Sequence, residues 1–399
     1  MLVRAGRHVG TTTSDGVLVD EGMVDAGDWT GPAGAHLVLA RDDIEVAVLE
    51  TARGGLVLRG MGYQSNDVSV LTNVSSDHLD LHGIHTLPEL AEVKSTICRI
   101  TRPDGWAILN GDDPLVAAVA RRTRARVAFF SLAEERKRPG VVRRHLARGG
   151  RTYLVRDGWL TEMDDGTSRN IVEIARVPIT IGGLARHNVA NVLAAVGAGR
   201  GLGLTVAQVR DGVLDFRPST ERSPGRLNLF RLGERLIIID FAHNEAGISA
   251  VLDVAEGIAA GANGRASPIT AIIGTAGDRP DDTLRGIGRI AAQRAQRVAI
   301  KETRKYLRGR TDRSVIGELL AGIVAGGVAE VDVPVYESET AALRAELDGA
   351  GPADSSDSGR VIILMCHEDR DGVFRLLEDL GARPADVTDE LSRLVPRVP

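Results

Sequence analysis

The sequence predicts an α/β protein of two domains, each built on a mostly parallel sheet with helices on both faces. Three observations carry this. Short continuous apolar runs recur along the chain and alternate with amphipathic segments, the rhythm of strand–helix units. The runs form two series, the second beginning near Leu227. Between them Thr220-Glu221-Arg222-Ser223-Pro224-Gly225 is polar and carries Pro and Gly, so it is the best boundary, giving domains of residues 1–221 and 222–399.

Taken in order, residues 1–8 read as the last turn of a helix entering a strand, as if a domain began in its middle. Apolar runs at residues 44–49, 68–71, 107–109 and 127–130 read as buried parallel strands. Helices are expected over residues 87–100 and 113–122. Thr86-Leu87-Pro88-Glu89 starts the first as a capping box, with Thr86 as N-cap, Pro88 in the first turn and Glu89 at N3. Residues 151–160 hold two short strand patterns around Asp157-Gly158, a hairpin signal, so a small antiparallel excursion is expected within 141–183. A helix rich in Ala and Val follows, from His187 to about Gly199. The second series places strands at 236–239, 269–274, 298–300, 333–336 and 361–365. Residues 349–359 are a flexible surface loop by composition. No internal repeat is present.

At 399 residues the chain can bury a large core in each domain. Hydrophobic content of 43% and charged content of 26% are those of an ordinary globular protein, and a net charge of −5 leaves no basic footprint for nucleic acid. No run of 18 apolar residues exists, and the first residues lack a signal-peptide core, so neither a transmembrane helix nor a membrane partner is expected. Cys98 and Cys366 are far apart, without metal-ligand spacing and in apolar surroundings. Buried free thiols and a reducing cytoplasm follow. Lys94, Lys137, Lys301 and Lys305 are the only lysines, which makes a lysine at a structurally special position stand out.

Two blocks carry most of the chemistry. Glu50-Thr51-Ala52-Arg53-Gly54-Gly55 and Thr72-Asn73-Val74-Ser75-Ser76-Asp77-His78 each follow an apolar run, at the sheet edge where ligands of open α/β sheets collect. Glu50 supplies the hard oxygen that Mg²⁺ prefers, and a neutral His78 can complete the shell. Each alone also reads as a solvated carboxylate or a hydrogen-bonded histidine. Lys94 lies at the edge of the apolar stripe set by Leu87, Leu90, Val93 and Ile97, able either to snorkel outward or to serve the metal. Asn188 and Asn191 share one helix face, and only one is needed for capping. Arg226, on the Ser223-Pro224-Gly225 turn, can reach a phosphate bidentately. Asp240 and His243 close another strand, as do Gly277-Asp278-Arg279.

These blocks, in this order and with Leu307-Arg308-Gly309-Arg310, resemble the Mur ligase family of ATP-dependent amide ligases across almost the whole chain. They look closest to the Mur-ligase-like C-terminal half of cyanophycin synthetases. The resemblance implies a central ATPase domain, mostly parallel with a small antiparallel excursion, and a C-terminal Rossmann-like α/β domain. It implies that Glu50 and His78 bind Mg²⁺ bridging ATP phosphates and that Lys94 is carbamylated. It also implies that Asn188, Asn191, Arg226, Asp240 and His243 reach ATP. The reaction would activate a carboxylate as an acyl phosphate for attack by an amine, largely by positioning and charge neutralisation.

The sequence departs from the family in two places. The family places a Gly-x-Gly-Lys-[Ser/Thr] loop before the segment resembling residues 6–16, and no Gly-Lys-Thr or Gly-Lys-Ser occurs among the 399 residues. The expectation is a chain that starts after this loop and its strand, which leaves a sheet edge exposed. Three readings follow: a ligase whose start codon lies further upstream, a nucleotide-binding or interaction subunit without turnover, or a ligase whose loop another polypeptide supplies. Second, no Asp-Asn-Pro-Arg motif is present. Its region carries residues 303–310, where Arg308 and Arg310 either hold a substrate carboxylate or form a solvated basic loop.

Overall fold

In a computed structural model of the chain, residues 1–75, 83–260, 267–349 and 360–385 are described. They fall into two compact units. The first holds residues 1–177 with 187–216; the second holds 178–186 and the chain from Arg217 onward.

The first unit contains two sheets rather than one. The smaller comprises β1 (Val9–Thr12), β2 (Gly16–Val19), β3 (Gly22–Ala26) and β4 (Val46–Leu49), in the order β3-β2-β1-β4. Only the β1–β4 pairing is parallel. The larger comprises β5 (Asn66–Leu71), β6 (Thr101–Asn110), β7 (Arg126–Ser131), β8 (Thr152–Arg156), β9 (Trp159–Asp164) and β10 (Thr167–Glu173). They lie side by side in chain order, parallel from β5 to β8 and antiparallel from β8 to β10. The β8–β9 turn is the expected hairpin: Asp157 and Gly158 both have positive φ, 49° and 78°, which an Asp-Gly pair tolerates. Asp165-Gly166 repeats the device and adds β10.

The helices of this unit are α1 (Pro32–Leu39), α2 (Arg53–Arg59), α3 (Leu87–Lys94), α4 (Thr96–Arg99), α5 (Pro114–Ala118), α6 (Gly140–Ala147), α7 (Arg186–Gly201) and α8 (Val206–Asp215). Leu71, Leu109 and Phe129 of the larger sheet bury against Leu90, Cys98, Val116 and Val142 from α3 to α6. Helix α7 approaches the sheet closely because Gly197 lacks a side chain: a Cβ there would lie 2.9 Å from Ile108.

Three expectations change. The run at 44–49 is a parallel strand, but none of Val46–Leu49 is buried, because β4 is an outer strand of its sheet. Strand β5 is likewise an outer strand, so among the described residues β4 and β5 are edge strands of the two sheets. The helix at 87–100 breaks at Ser95, whose hydroxyl bonds the Glu92 carbonyl, into α3 and α4. The helix at 113–122 ends its α-helical part at Ala118 and finishes as a 3₁₀ turn.

The second unit is one seven-stranded sheet. Its strands are β11 (Asn228–Leu232), β12 (Arg235–Asp240), β13 (Ile269–Ile273), β14 (Arg297–Lys301), β15 (Val335–Tyr336), β16 (Val361–Met365) and β17 (Arg383–Pro384), in the order β15-β14-β13-β16-β12-β11-β17. The five strands from β15 to β12 are parallel. Side chains alternate between two cores. Ile238, Ala271, Ile300 and Ile363 pack on one face with α9 (Glu245–Ala259), α10 (Asp281–Arg294) and α11 (Asp312–Ala325). Ile237, Ile239, Ile272 and Leu364 pack on the other with α12 (Glu339–Asp348) and α13 (Arg370–Asp379). Burial on both faces is why these strands read as unbroken apolar runs, and each buried Ile or Leu contributes roughly 1.5–3 kcal/mol. Strands β13 and β16 are neighbours whose following helices lie on opposite faces, the topological switch point at whose C-terminal ends ligands of open α/β sheets bind.

Candidate functional site

In the first unit, Thr12 of β1 is level with Leu49 of β4, so both strands end at one edge. Glu50 leaves β4 there. Its N–H donates to the Thr12 carbonyl (3.2 Å), and its Oε2 accepts from the Ser14 N–H (3.3 Å). The carboxylate is exposed. Gly54-Gly55 lies in the first turn of α2. A shallow depression lies beside Glu50, walled by Thr30, Gly31, Leu49, Thr51, Met61 and Tyr63. The Thr51 and Tyr63 hydroxyls are 3.4 Å apart, and burial pushes the Tyr63 phenol up.

Strand β5 runs into Thr72, Asn73 and Val74. This segment is pinned by Asn110, which donates to the Thr72 carbonyl (2.8 Å), and by Asp113, which accepts the Val74 N–H (2.7 Å). Lys94, the last residue of α3, is half-buried and directs its Nζ to the Asn73 carbonyl at 3.4 Å. The structure therefore brings Lys94 to the segment after β5, rather than leaving it snorkelled into solvent. The capping box that starts α3 is complete: Thr86 Oγ1 accepts from the Glu89 N–H, and the Glu89 carboxylate accepts from the Thr86 N–H. His78 lies outside the described residues. Among the described residues, no three His, Cys, Asp or Glu side chains cluster as a metal site.

Asn188 and Asn191 lie inside α7 on one face, with Asn191 Nδ2 3.3 Å from Asn188 Oδ1. Neither is the cap, since the helix already starts at Arg186.

In the second unit, Arg226 stands on the expected turn. Its N–H bonds the Ser223 carbonyl (3.2 Å), and Gly225 takes φ +70°, a conformation glycine adopts without steric cost. The guanidinium lies over the Phe241 ring, 4.9 Å from its centre. Asp240 ends β12 with both oxygens committed: Oδ2 accepts from the Leu227 N–H (2.9 Å) and Oδ1 from the Ala242 N–H (2.8 Å). Burial still dominates and pushes its carboxyl up to about 6, against the pull of these donors and Arg226. His243 Nδ1 bonds the Phe241 carbonyl at 3.1 Å.

Arg308 and Arg310 each form an ion pair. Arg308, at φ 47°, pairs with Asp278. Arg310 pairs with Asp281 (2.7 Å) and donates to Ser314 Oγ (2.8 Å). The Gly277 N–H bonds the Tyr306 carbonyl (2.9 Å), so the 277–279 and 306–310 segments form one platform.

One cluster escapes the sequence reading. Lys301 at the end of β14, Glu339 at the start of α12 and His367 after β16 are all buried. Lys301 Nζ is 2.7 Å from Glu339 Oε1, 3.0 Å from His367 Nδ1 and 3.1 Å from Thr303 Oγ1. Burial would raise the Glu339 carboxyl, but Lys301 and the N–H groups of His367 and Asp369 outweigh it and hold it below the usual range. Burial, with Lys301, drives His367 well below its ordinary value. The sequence reading counted Lys301 among four lysines without assigning it a role, and nothing local to Glu339 or His367 marks either.

Comparison with known proteins finds two domain types in this chain. Residues 11–199 match the Mur ligase middle domain, and residues 225–365 match the Mur ligase, glutamate ligase domain. Cyanophycin synthetase from Synechocystis sp. is 39% identical over 348 residues, covering 86% of this chain and 38% of that protein. Cyanophycin synthetase from Crocosphaera subtropica is 36% identical, covering 90% of this chain and 39% of that protein. The chain thus spans about two-fifths of the length of these relatives. Among solved structures, MurF from Acinetobacter baumannii superposes with a TM-score of 0.62 at 16% identity, over 94% of this chain and 72% of that one. A pseudomurein peptide ligase type C from Methanothermus fervidus gives 0.59 at 16% identity, over 95% of this chain and 74% of that one. Sharing two domain types in order, and this α/β architecture, the chain belongs to the Mur ligase family.

Proposed function

We propose that this chain is an ATP-dependent amide ligase of the Mur ligase and cyanophycin synthetase type. It activates a carboxylate as an acyl phosphate and joins it to an amino-acid amine. The observation that carries this is the 39% identity to a cyanophycin synthetase over 348 residues, 86% of this chain. The substrates are ATP, a small carboxylate or peptide, and an amino acid, and the compartment is the cytoplasm.

The exposed Glu50 carboxylate at the end of β4 fits a Mg²⁺ ion, which takes one or two protein oxygens and completes its shell with water and phosphate. Glu50 would hold it, with His78 as a second ligand. The ion would neutralise phosphate charge when bound. Lys94, already aimed at Asn73, would carry the carbamate that orders a second ion. Asn188 and Asn191 would contact ATP from α7. Arg226 would contact phosphate, with Asp240 and His243 setting the strand end beside it. Arg308 and Arg310 would hold a substrate carboxylate by exchanging Asp278 and Asp281 for it.

The test is phosphate release from ATP with panels of amino acids and peptides at fixed Mg²⁺, beside Lys94→Ala and Glu50→Ala. Removing one preorganised charge-stabilising group costs about 10²–10³ in turnover. Turnover that survives both substitutions would sink the assignment.

A further inference from the structure

We infer that Lys301 and His367 are positioning residues that hold the Asp240–His243 segment through a fixed imidazole tautomer. The functional consequence rests on the reading of that segment as nucleotide-contacting.

Lys301 is 1% exposed, and its three acceptors match the three N–H bonds of an ammonium. An ammonium has no lone pair, so His367 Nδ1 must be the acceptor in its contact with Lys301. The proton of neutral His367 then sits on Nε2, which lies 2.9 Å from the Ala242 carbonyl and donates to it. Lys301 therefore selects the tautomer that ties down Ala242. The neighbouring carbonyls are also taken. Asp240 O accepts from the Cys366 N–H (2.8 Å), Phe241 O from His243 Nδ1 (3.1 Å) and His243 O from Thr275 Oγ1 (3.0 Å). Asn244 O accepts from the Ile248 N–H, the first turn of α9. Of the four donors to the carbonyls of residues 240–243, two are imidazole nitrogens, and of these two His367 is the one whose other ring nitrogen is bound by the buried Lys301 ammonium.

Glu339 fixes the other end. It accepts from the N–H groups of His367, Glu368 and Asp369 and from the Cys366 thiol, while pairing with Lys301. The groups facing His367 are thus Lys301, Glu339, Cys366 and, across the Phe241 ring, His243.

The experiment compares full-length wild type with His367→Gln, His367→Leu and Lys301→Met, all first checked for folding by circular dichroism. Imidazole ¹⁵N spectra read the tautomer, and titration with ATP and Mg²⁺ reads affinity. Wild-type His367 should show the Nε2–H form. Gln offers an acceptor to Lys301 and a donor to Ala242, so His367→Gln should keep the His243 resonances and ATP affinity. Leu has similar bulk but no donor; it should shift the His243 resonances and weaken ATP roughly tenfold, the loss of one buried hydrogen bond. Lys301→Met should give mixed His367 tautomers. If it does not fold, the His367 pair alone decides. An Nδ1–H wild-type signal, or His243 resonances and ATP affinity equal in the Gln and Leu variants, would overturn the inference. Absence of ATP binding by wild type would instead sink the nucleotide reading, leaving positioning to stand or fall on the spectra.

Discussion

Asp240→Asn should change how the second unit's stability depends on pH, and in a direction opposite to most carboxylate substitutions. The native carboxyl is raised from 3.8 to about 6, chiefly by burial, despite two backbone N–H donors and Arg226. The folded state therefore binds this proton more tightly than the unfolded chain does. Below about pH 4 both states are protonated and the contribution is fully present. Between about pH 4 and 6 the unfolded chain ionises first, and stability falls as pH rises. At about 1.4 kcal/mol for each pH unit, the loss reaches about 3 kcal/mol above pH 6. Asparagine cannot ionise, so this fall is absent from the variant. Urea unfolding of both proteins at pH 4 and pH 7.5, followed by circular dichroism, gives the comparison. The variant should gain about 3 kcal/mol on wild type between the two pH values, whatever constant offset its lost acceptor adds. A wild-type-to-variant difference that is the same at both pH values would refute burial as the dominant influence on Asp240.

Further outcomes follow from the same kind of reading. Glu162, fully buried on β9, accepts from Arg200 (2.7 Å) and Tyr153 (3.2 Å), so Glu162→Leu should cost about 3–5 kcal/mol by stranding Arg200, measured by denaturant unfolding. Cys98 is buried with its thiol pushed up to about 11, and burial likewise raises Cys366; both should resist thiol reagents in the native protein and react at the unfolding rate in denaturant.

How legible the fold was depended on whether a strand is buried on both faces. Strands β12, β13, β14 and β16 announced themselves because every residue from Leu236 to Ile239, and their counterparts, is enclosed. The first three strands did not, since β3 is exposed throughout and β1 is interrupted by Gly10 and three threonines follow it. Local devices were readable where the code is local: the Thr86–Glu89 capping box and the Asp157-Gly158 turn both formed. The continuous helix at 87–100 was not, because its break depends on one serine hydroxyl turning back to Glu92. For the candidate site, Glu50, Asp240 and His243 were legible as polar residues ending apolar runs. Lys301, Glu339 and His367 were not, because their partnership spans 66 residues from Lys301 to His367 and joins three separate elements.

The burial of Lys301 has a practical corollary. Lys137 and Lys305 are exposed and Lys94 is half-buried, so an amine-acylating reagent has few targets and one that is sealed. All three tryptophans, Trp29, Trp106 and Trp159, belong to the first unit. Indole emission therefore follows the first unit, while acylation at Lys301 follows the second. The protein carries, without any engineered label, two separate clocks for the opening of its two halves.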